Sequence, residues 1–413
     1  MEQVIKQQLK DAANAKTRLA VLETKDKNLA LKKIQDTLLA HIDQIVEENN
    51  KDIDNARITG LSEAMIDRLL LDESRIKAMV QDIQKVIELE DPIGQKVREI
   101  HKDNGLEIQQ VRVPIGVIGV IYESRPNVTI DIASLCIKSG NVCVLKGGKE
   151  AFYSNMVLTK LMVEATLDIL GKDAIIYIET SSRQDVDILL QAKEYLDLLI
   201  PRGSATLIQH VTKNSLVPVI ETGAGVCHLF VDKDADLEKA KAIALNGKVQ
   251  RPSVCNALET IIVHQAIAKE FLELLYDAFI KEEVKMYGCS KTKSFIQCFL
   301  INEDSYSTEY GSKACNIKVV DHFEEAIAHI QQFSTKHSEA IVSENMERCE
   351  LFLNQVDSAC VYANASTRFS DGGEFGFGVE VGISTQKLHA RGPMGLQEIT
   401  TTKYKIYGRG QIR

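Results

Sequence analysis

From residue 113 onward the chain repeats one pattern that leaves few folds open: short, wholly apolar runs separated by helix-length segments. "VPIGVIGVIY" is followed by a helix over about 128–139, then "VCVL" at 142–145 and a helix over about 151–170. "AIIYI" at 174–178, a helix starting near Ser182, "LDLLI" at 196–200, a further helix, "LVPVI" at 216–220 and "HLFV" at 228–231 continue it. A strand without polar alternation is one covered on both faces. Such strands alternating with helices build βαβ units on a parallel sheet, so the spacing predicts a doubly wound α/β domain. Ligands of such domains sit at the carboxyl ends of the strands. A second alternation begins after Cys255: "LETIIV", a helix at 265–281, "NIKVV", a helix at 323–332, "EAIVS", a helix at 345–355 and "ACVY". It predicts a second α/β domain.

The flanks read differently. Up to about residue 90, Leu31, Ile34, Leu38, Ile42 and Ile45 recur at helical steps, as do Ile76, Met79, Val80, Ile83 and Ile87, which predicts amphipathic helices. "DPIG" at 91–94 closes this region. In "KVREIHKDNGLEIQQVRVP" the central "DNG" is a hairpin signal and the arms are polar and β-branched, so a two-stranded ribbon is expected. The tail "ITTTKYKIYGRGQIR" alternates like a strand, suited to pairing with that ribbon or with a neighbouring subunit.

A chain of 413 residues suits two or three domains. A net charge of −9 gives no general attraction to nucleic acid or to an anionic membrane, so neither is an expected partner. No run of roughly 18 apolar residues occurs, and the charged N-terminus reads as a helix, not a signal peptide. The nine cysteines are scattered, without C-x-x-C pairs or zinc-finger histidines. Neither a disulfide framework nor a metal is expected, and the setting expected is the cytoplasm. Cys136, Cys143, Cys227, Cys298 and Cys360 lie in apolar patterns, as core thiols do.

The unusual residues fall in the loops after the strands. In "YESRPNVT", Asn127 is suited to cap the next helix or to donate a hydrogen bond to a reacting oxygen. Arg125 beside it calls for an anionic partner. "VLKGGKEA" sets two glycines between two lysines, either a tight turn or a close approach to an anion at a helix N-terminus. No G-x-G-x-x-G follows a strand. Glu221, at a strand end in "VIETGAGVCHLF", suits a turn cap or a general base. His228 reads as a core histidine. The glycine-rich "SDGGEFGFGVEVG" at 370–382 is either a plain surface loop or a wrap for a substrate. Cys255 stands apart from the other thiols: it follows Arg251 and Pro252 and precedes Asn256 at a domain junction. There a cation could stabilise a thiolate or an anionic substrate.

"VQRPSVCNALET" resembles the catalytic-cysteine segment of the gamma-glutamyl phosphate reductases, within the aldehyde dehydrogenase superfamily. "VPIGVIGVIYESRPNVT", "VLKGGKEA", "LIPRGS", "VIETGAG", "HSEAIVSEN", "LHARGPMGLQEITTTKY" and "YGRGQIR" resemble segments of that family in the same order, nearly end to end. Phe333 departs from the family's His or Tyr, and Val226 from its Asn. Both bear on substrate detail, not on reaction class.

The resemblance implies NADPH-dependent reduction of L-glutamyl 5-phosphate to L-glutamate 5-semialdehyde, with release of phosphate, in proline biosynthesis. Cys255 is then the nucleophile that forms a thioester, and Asn127 with the backbone N–H of Cys255 holds the oxyanion. Lys146, Gly147, Lys149, Gly203 and Ser204 would face the cofactor. Lys149 favours NADP, because a cation there suits a 2′-phosphate. Arg125 and Arg251 would meet the substrate's anions.

The implied architecture is an aldehyde-dehydrogenase-like α/β fold. Its NADP-binding domain spans 1–95 and 114–252 and its catalytic domain 253–384. The oligomerisation ribbon and tail, 96–113 and 385–413, pair between the subunits of a homo-oligomer. Two rival readings are an oxidative aldehyde dehydrogenase, which Glu221 as hydrolytic base would serve, and a binding protein on this fold with a dead site. Cys255, Asn127 and Lys146 together speak against the second.

Overall fold

A computed structural model describes residues 2–179 and 182–413. The chain forms two compact units. The first comprises the residues through Thr222 with Gly376–Gly382 and Met394–Arg413, and the second comprises Gly223–Phe375 with Ile383–Pro393.

In the first unit the helices Thr24–Ala40 and Ile42–Ile58 are separate, broken at His41. Leu31, Ile34, Leu38 and Ile45 are all fully buried. The helix Glu73–Glu88 buries Ile76, Met79, Ile83 and Val86. Val86, three residues on from Ile83, is buried where Ile87 was expected, and Ile87 beside it is half-buried.

The strands Ile175–Tyr177, Val142–Gly147, Val117–Tyr122 and Leu198–Arg202 form a four-stranded parallel sheet in that order. Every residue of the two central strands is buried, the burial their unbroken apolar runs imply. "LVPVI" adds only an isolated bridge, Leu199 to Val219. Pro218 has no N–H to extend the ladder.

The ribbon strands Lys96–His101 and Glu107–Pro114 pair antiparallel. The tail strand Thr400–Tyr407 pairs antiparallel with Glu107–Pro114 from Thr400 opposite Pro114 to Tyr407 opposite Glu107. The sequence left this pairing open and the resemblance put it between subunits; the structure closes it within one chain. Cross-strand bonds from Gln110 Nε2 to Thr402 Oγ1 (2.9 Å) and from Arg112 Nη1 to Thr400 Oγ1 (3.0 Å) hold the register.

The second unit holds a seven-stranded sheet in the order Phe299–Leu300, Lys285–Gly288, Ala314–Val320, Leu258–His264, Cys227–Val231, Ser338–Val342, Cys360–Ala363, all parallel. The strand Cys227–Val231 therefore lies in this sheet, where the sequence had assigned it to the first domain, and the units part at Thr222/Gly223 rather than after residue 252. Its partners, Leu258–His264 and Ser338–Val342, are remote in sequence, and a wholly buried strand carries no local mark of which sheet it joins. His228 adds a fixed point: its backbone N–H (2.7 Å) and Nδ1 (3.0 Å) both meet Oε2 of Glu339. Among the described residues no helix is long and apolar enough to cross a membrane.

Candidate active site

At the carboxyl edge of the four-stranded sheet, carboxylates stitch three loops together. The strand Val117–Tyr122 runs into Ser124, whose φ of +45° is left-handed and strained for a residue with a β-carbon. Glu150 holds it there: Oε1 accepts from the Ser124 N–H (2.6 Å) and Oγ (2.9 Å). Glu150 itself follows the "KGGK" turn, so this clasp ties that turn to the loop bearing Arg125 and Asn127. Glu123 ties the same loop to a third. Its Oε2 accepts from the N–H of Ser204 (2.7 Å), at the N-terminus of the helix Ala205–Asn214.

Asn127 opens the helix Asn127–Lys138 with Pro126 in the cap position. The capping role is thereby taken away, and the side chain is turned to other use: Nδ2 donates to Oδ2 of Asp131, one turn on, at 2.8 Å. Burial pushes the Asp131 carboxyl up to about 7 against the pull of that hydrogen bond; Asp82 and Glu380 add to the rise and Arg202 opposes it.

Lys146 is buried, and its Nζ donates to the carbonyl of Gly147 at 3.0 Å. Burial lowers its pKa, with Asp185 and Glu150 opposing. Lys149 is exposed. The glycines here lie against the protein's own side chains. A β-carbon on Gly147 would come within 2.2 Å of Asn155 Nδ2, one on Gly148 within 2.2 Å of Glu150 Oε1, and one on Gly203 within 2.4 Å of Glu123 Oε2. Ser204 Oγ accepts from the N–H of Leu207 (3.3 Å), the N-cap bond of its helix. This edge carries an exposed ammonium, a buried one and a helix N-terminus already tested by a carboxylate. Such a donor set fits the phosphates and ribose of a nicotinamide nucleotide.

In the second unit Cys255 is half-buried. It lies in the turn between the helix Leu237–Val249 and the strand Leu258–His264. Lys248 and Glu259 close that turn as a fully buried ion pair, 2.8 Å apart. Burial pushes the Glu259 carboxyl up to about 7 even against Lys248. From below, the main chain at Gly225 comes so close that a β-carbon there would fall 1.4 Å from the carbonyl oxygen of Cys255. Only glycine fits "ETGAG" at that point. Cys227 Sγ donates to the same carbonyl at 3.2 Å, and burial drives that thiol's pKa well above its usual value. Cys227 is thus a structural donor, and Cys255 is the thiol left at the turn. Cys136, Cys143 and Cys360 are buried as expected, whereas Cys298 is half-buried, as is Cys289.

On the far side of the turn, residues 366–370 are laced to Asn256. Thr367 Oγ1 donates to the Asn256 carbonyl (2.7 Å) and Asn256 Nδ2 donates to the Ser370 carbonyl (2.8 Å). Arg368 donates from Nη1 to Asn256 Oδ1 and from Nε to Gln250 Oε1 (3.1 Å).

The structure thus gathers Arg125, Asn127, Lys146, Gly147, Lys149, Gly203 and Ser204 on one edge of the first unit, with Glu221 half-buried in the same unit. Arg251 and Cys255 lie in the second. Sequence reasoning passed over Glu123, Glu150, Asp131 and Arg368. Only Asp131 carried a local signal, its four-residue spacing from Asn127. Of the two departures noted, Val226 is buried with its N–H on Thr335 Oγ1 (2.9 Å), and Phe333 packs against His329 and Tyr306 at ring distances of 4.7 and 5.4 Å. No group of three or more His, Cys, Asp or Glu placed to hold a metal occurs among the described residues.

A thiol at a strand-leading turn, opposed in sequence by an Asn-headed helix and a lysine-glycine turn, agrees with the comparisons. The model of the aldehyde dehydrogenase family matches residues 2–293, and the chain belongs to that family of nicotinamide-dependent oxidoreductases. Within it, the chain is 50% identical to a gamma-glutamyl phosphate reductase of Clostridium novyi over 97% of either chain. It is also 50% identical to that of Dictyoglomus thermophilum over 100% of both. The crystal structure of gamma-glutamyl phosphate reductase from Thermotoga maritima superimposes with a TM-score of 0.97 at 44% identity, covering 98% of this chain and 99% of that one. The chain belongs to the gamma-glutamyl phosphate reductases.

Proposed function

We propose that this chain reduces L-glutamyl 5-phosphate to L-glutamate 5-semialdehyde, with release of phosphate, in proline biosynthesis, and that it uses NADPH. The observation that carries the reading is its kinship, along its whole length, with proteins named for this activity. The Cys255 thiolate attacks the acyl carbon, the C–O bond to phosphate breaks, and a thioester remains on Sγ. Asn127 and the backbone N–H of Cys255 are the donors assigned to the oxyanion that forms on the way. Nδ2 of Asn127 carries two hydrogens; Asp131 takes one and fixes the amide for the other. A bound nicotinamide supplies the hydride that brings the acyl group to the aldehyde level. Sγ then leaves as thiolate, a good leaving group, which is why a thioester suits the reduction.

Lys146, Gly147, Lys149, Gly203 and Ser204 would hold the nucleotide, with exposed Lys149 at the 2′-phosphate. Arg125 and Arg251 would meet the substrate. The reducing cytoplasm would keep Cys255 a thiol. We infer a homo-oligomer, since Val97, Tyr404, Ile406 and Tyr407 of the ribbon sheet are each more than half exposed. The test runs the reaction backwards, following NADP reduction by glutamate semialdehyde. The rate should require inorganic phosphate; phosphate-independent NADP reduction would instead indicate a hydrolytic aldehyde dehydrogenase.

A further inference from the structure

Arg368 is held unlike two other arginines of the second unit. Arg348 and Arg391 pair with Asp232 and Asp357. Arg368 spends its fork on two neutral amide oxygens, Asn256 Oδ1 and Gln250 Oε1, and no carboxylate forms an ion pair with it among the described residues. These two acceptors flank the thiol, one on each side of Cys255 in the chain. The arginine's own backbone is pinned at both ends. Its N–H bonds Ser366 Oγ (3.3 Å), its carbonyl accepts from Asn256 Nδ2 (3.4 Å), and the following Ser370 is fixed by Ser338 Oγ (2.5 Å) and Tyr362 OH (2.8 Å). The guanidinium is therefore preorganised by the two residues that flank Cys255, without an ion pair among the described residues.

Burial, and after it the like charge of Arg251, depress its pKa, with Asp371 and the thiols of Cys255 and Cys227 opposing. Arg251, exposed in the segment that leads to Cys255, adds a second guanidinium to the same loop, a pairing that suits an anion. A planar fork is the geometry that phosphate oxygens match best.

We propose that Arg368, together with Arg251, forms the seat for the phosphoryl group of the acyl phosphate beside Cys255. The inference rests on the reading of the chain as an acyl-phosphate reductase and sharpens it. The two arginines neutralise the dianion before attack, so that the thiolate can approach. They then hold the phosphate that departs with the electron pair of the broken C–O bond. In the reverse direction they bind inorganic phosphate for attack on the thioester.

Arg368→Lys and Arg368→Met test this with phosphate and semialdehyde varied separately in the reverse reaction. The KM for inorganic phosphate should rise about tenfold in the lysine variant, which keeps charge but loses the fork, and on the order of a hundredfold in the methionine variant. The KM for semialdehyde should stay within about twofold of the parent value. A second reading needs no turnover: inorganic phosphate should protect Cys255 from iodoacetamide, followed by mass spectrometry of its peptide. Arg368→Lys should shift that protection to higher phosphate. If Arg368 only buttresses Asn256, kcat or the unprotected alkylation rate will fall while the KM for phosphate and the protection midpoint stay put, and the proposal is overturned. Should Arg368→Met not fold, the lysine variant alone decides. Loss of phosphate dependence in the unmutated protein would overturn the functional reading itself, and is distinguishable because it precedes any substitution.

Discussion

The two loops that hold the proposed catalytic residues are built by opposite means. In the first unit the loop of Arg125 and Asn127 is held by acids: Glu150 grips the strained Ser124, Glu123 grips Ser204, and Asp131 grips Asn127 itself. In the second unit the loop of Cys255 is held by main chain and cations. Gly225 closes against the Cys255 carbonyl, Lys248 is locked to Glu259 beneath the turn, and Arg368 forks onto the two flanking amides. Carboxylates can organise a loop by accepting its N–H groups, and they leave lysines such as Lys149 to face an anion. A loop proposed to receive an acyl phosphate at a thiolate gains from arginines that are not locked to acids. The lysine-glycine turn leaves an anion site open in the sequence; in the thiol loop the Arg368 guanidinium bonds two amide oxygens and forms no ion pair among the described residues.

The comparison breaks first at Cys255. Cys255→Ala should cut turnover on the order of 10⁴-fold or more while leaving the thermal midpoint and nucleotide affinity near those of the parent. Substantial residual turnover would remove the thiol loop from the chemistry. Next comes the staple beneath it. Lys248→Met removes the cation that offsets the burial of Glu259, so the carboxyl takes up a proton and loses its partner, and should cost about 1–3 kcal/mol in denaturant unfolding. Pairing it with Glu259→Leu should recover most of that loss, because two apolar side chains replace a mutually dependent pair. A double variant as unstable as the single one would show that the staple is not the source of the cost.

Much of this was legible beforehand, and the limits are physical. The strand cores could be read because a strand covered on both faces must be apolar throughout, as Val117–Tyr122 and Val142–Gly147 are. Which sheet a buried strand joins could not, because Cys227–Val231 is assigned by partners thirty and more than a hundred residues away. Cys255 stood out from the core thiols by its neighbours Arg251, Pro252 and Asn256. The glycines of "KGGK" were read as either a tight turn or room for a ligand, and the atoms that crowd them are Asn155 and Glu150. Glycine signals a close approach without saying by what. Arg368 was missed because its contacts with Gln250 and Asn256 join segments more than a hundred residues apart, a fact of tertiary structure.

Gly225 sharpens the contrast between close approach to a side chain and to main chain. Gly225→Ala places a methyl group where the Cys255 carbonyl stands, and main chain cannot rotate away. A loss of about 1–3 kcal/mol in stability is expected, together with roughly a hundredfold loss in kcat as the thiol is displaced. Gly148→Ala meets only the end of the Glu150 side chain and should be milder on both measures. Equal effects would erase the distinction. A smaller effect is expected at the cofactor edge. Lys149→Glu should raise the Kd for NADPH about tenfold relative to that for NADH, read by fluorescence titration, because an exposed carboxylate would then face the 2′-phosphate through solvent screening. An equal change for both nucleotides would take Lys149 away from that phosphate.

The smallest effect concerns the acid that holds Asn127. Asp131 has its carboxyl raised to about 7 in the folded protein, against roughly 3.9 in an unfolded chain. A carboxyl raised on folding binds its proton more tightly in the native state. Its contribution to stability is therefore complete below about pH 4 and is lost as the pH climbs to about 7, beyond which it changes no further. Facing groups modulate this: Asp82 on the helix Glu73–Glu88 and Glu380 hold the proton on, while Arg202, 3.5 Å from Glu380, draws it off. Asp131→Asn keeps an oxygen to accept from Asn127 and removes the titration. The stability of the parent relative to this variant should fall between pH 4 and 7 and run parallel to it above pH 8, measured by urea unfolding across the range. Because the side chain is only partly buried, the fall should be well short of what the full shift would give. A parallel course from pH 4 upward would mean that Asp131 ionises in the native state as it does in water. The amide of Asn127 would then be held by a carboxylate at every pH at which the protein works.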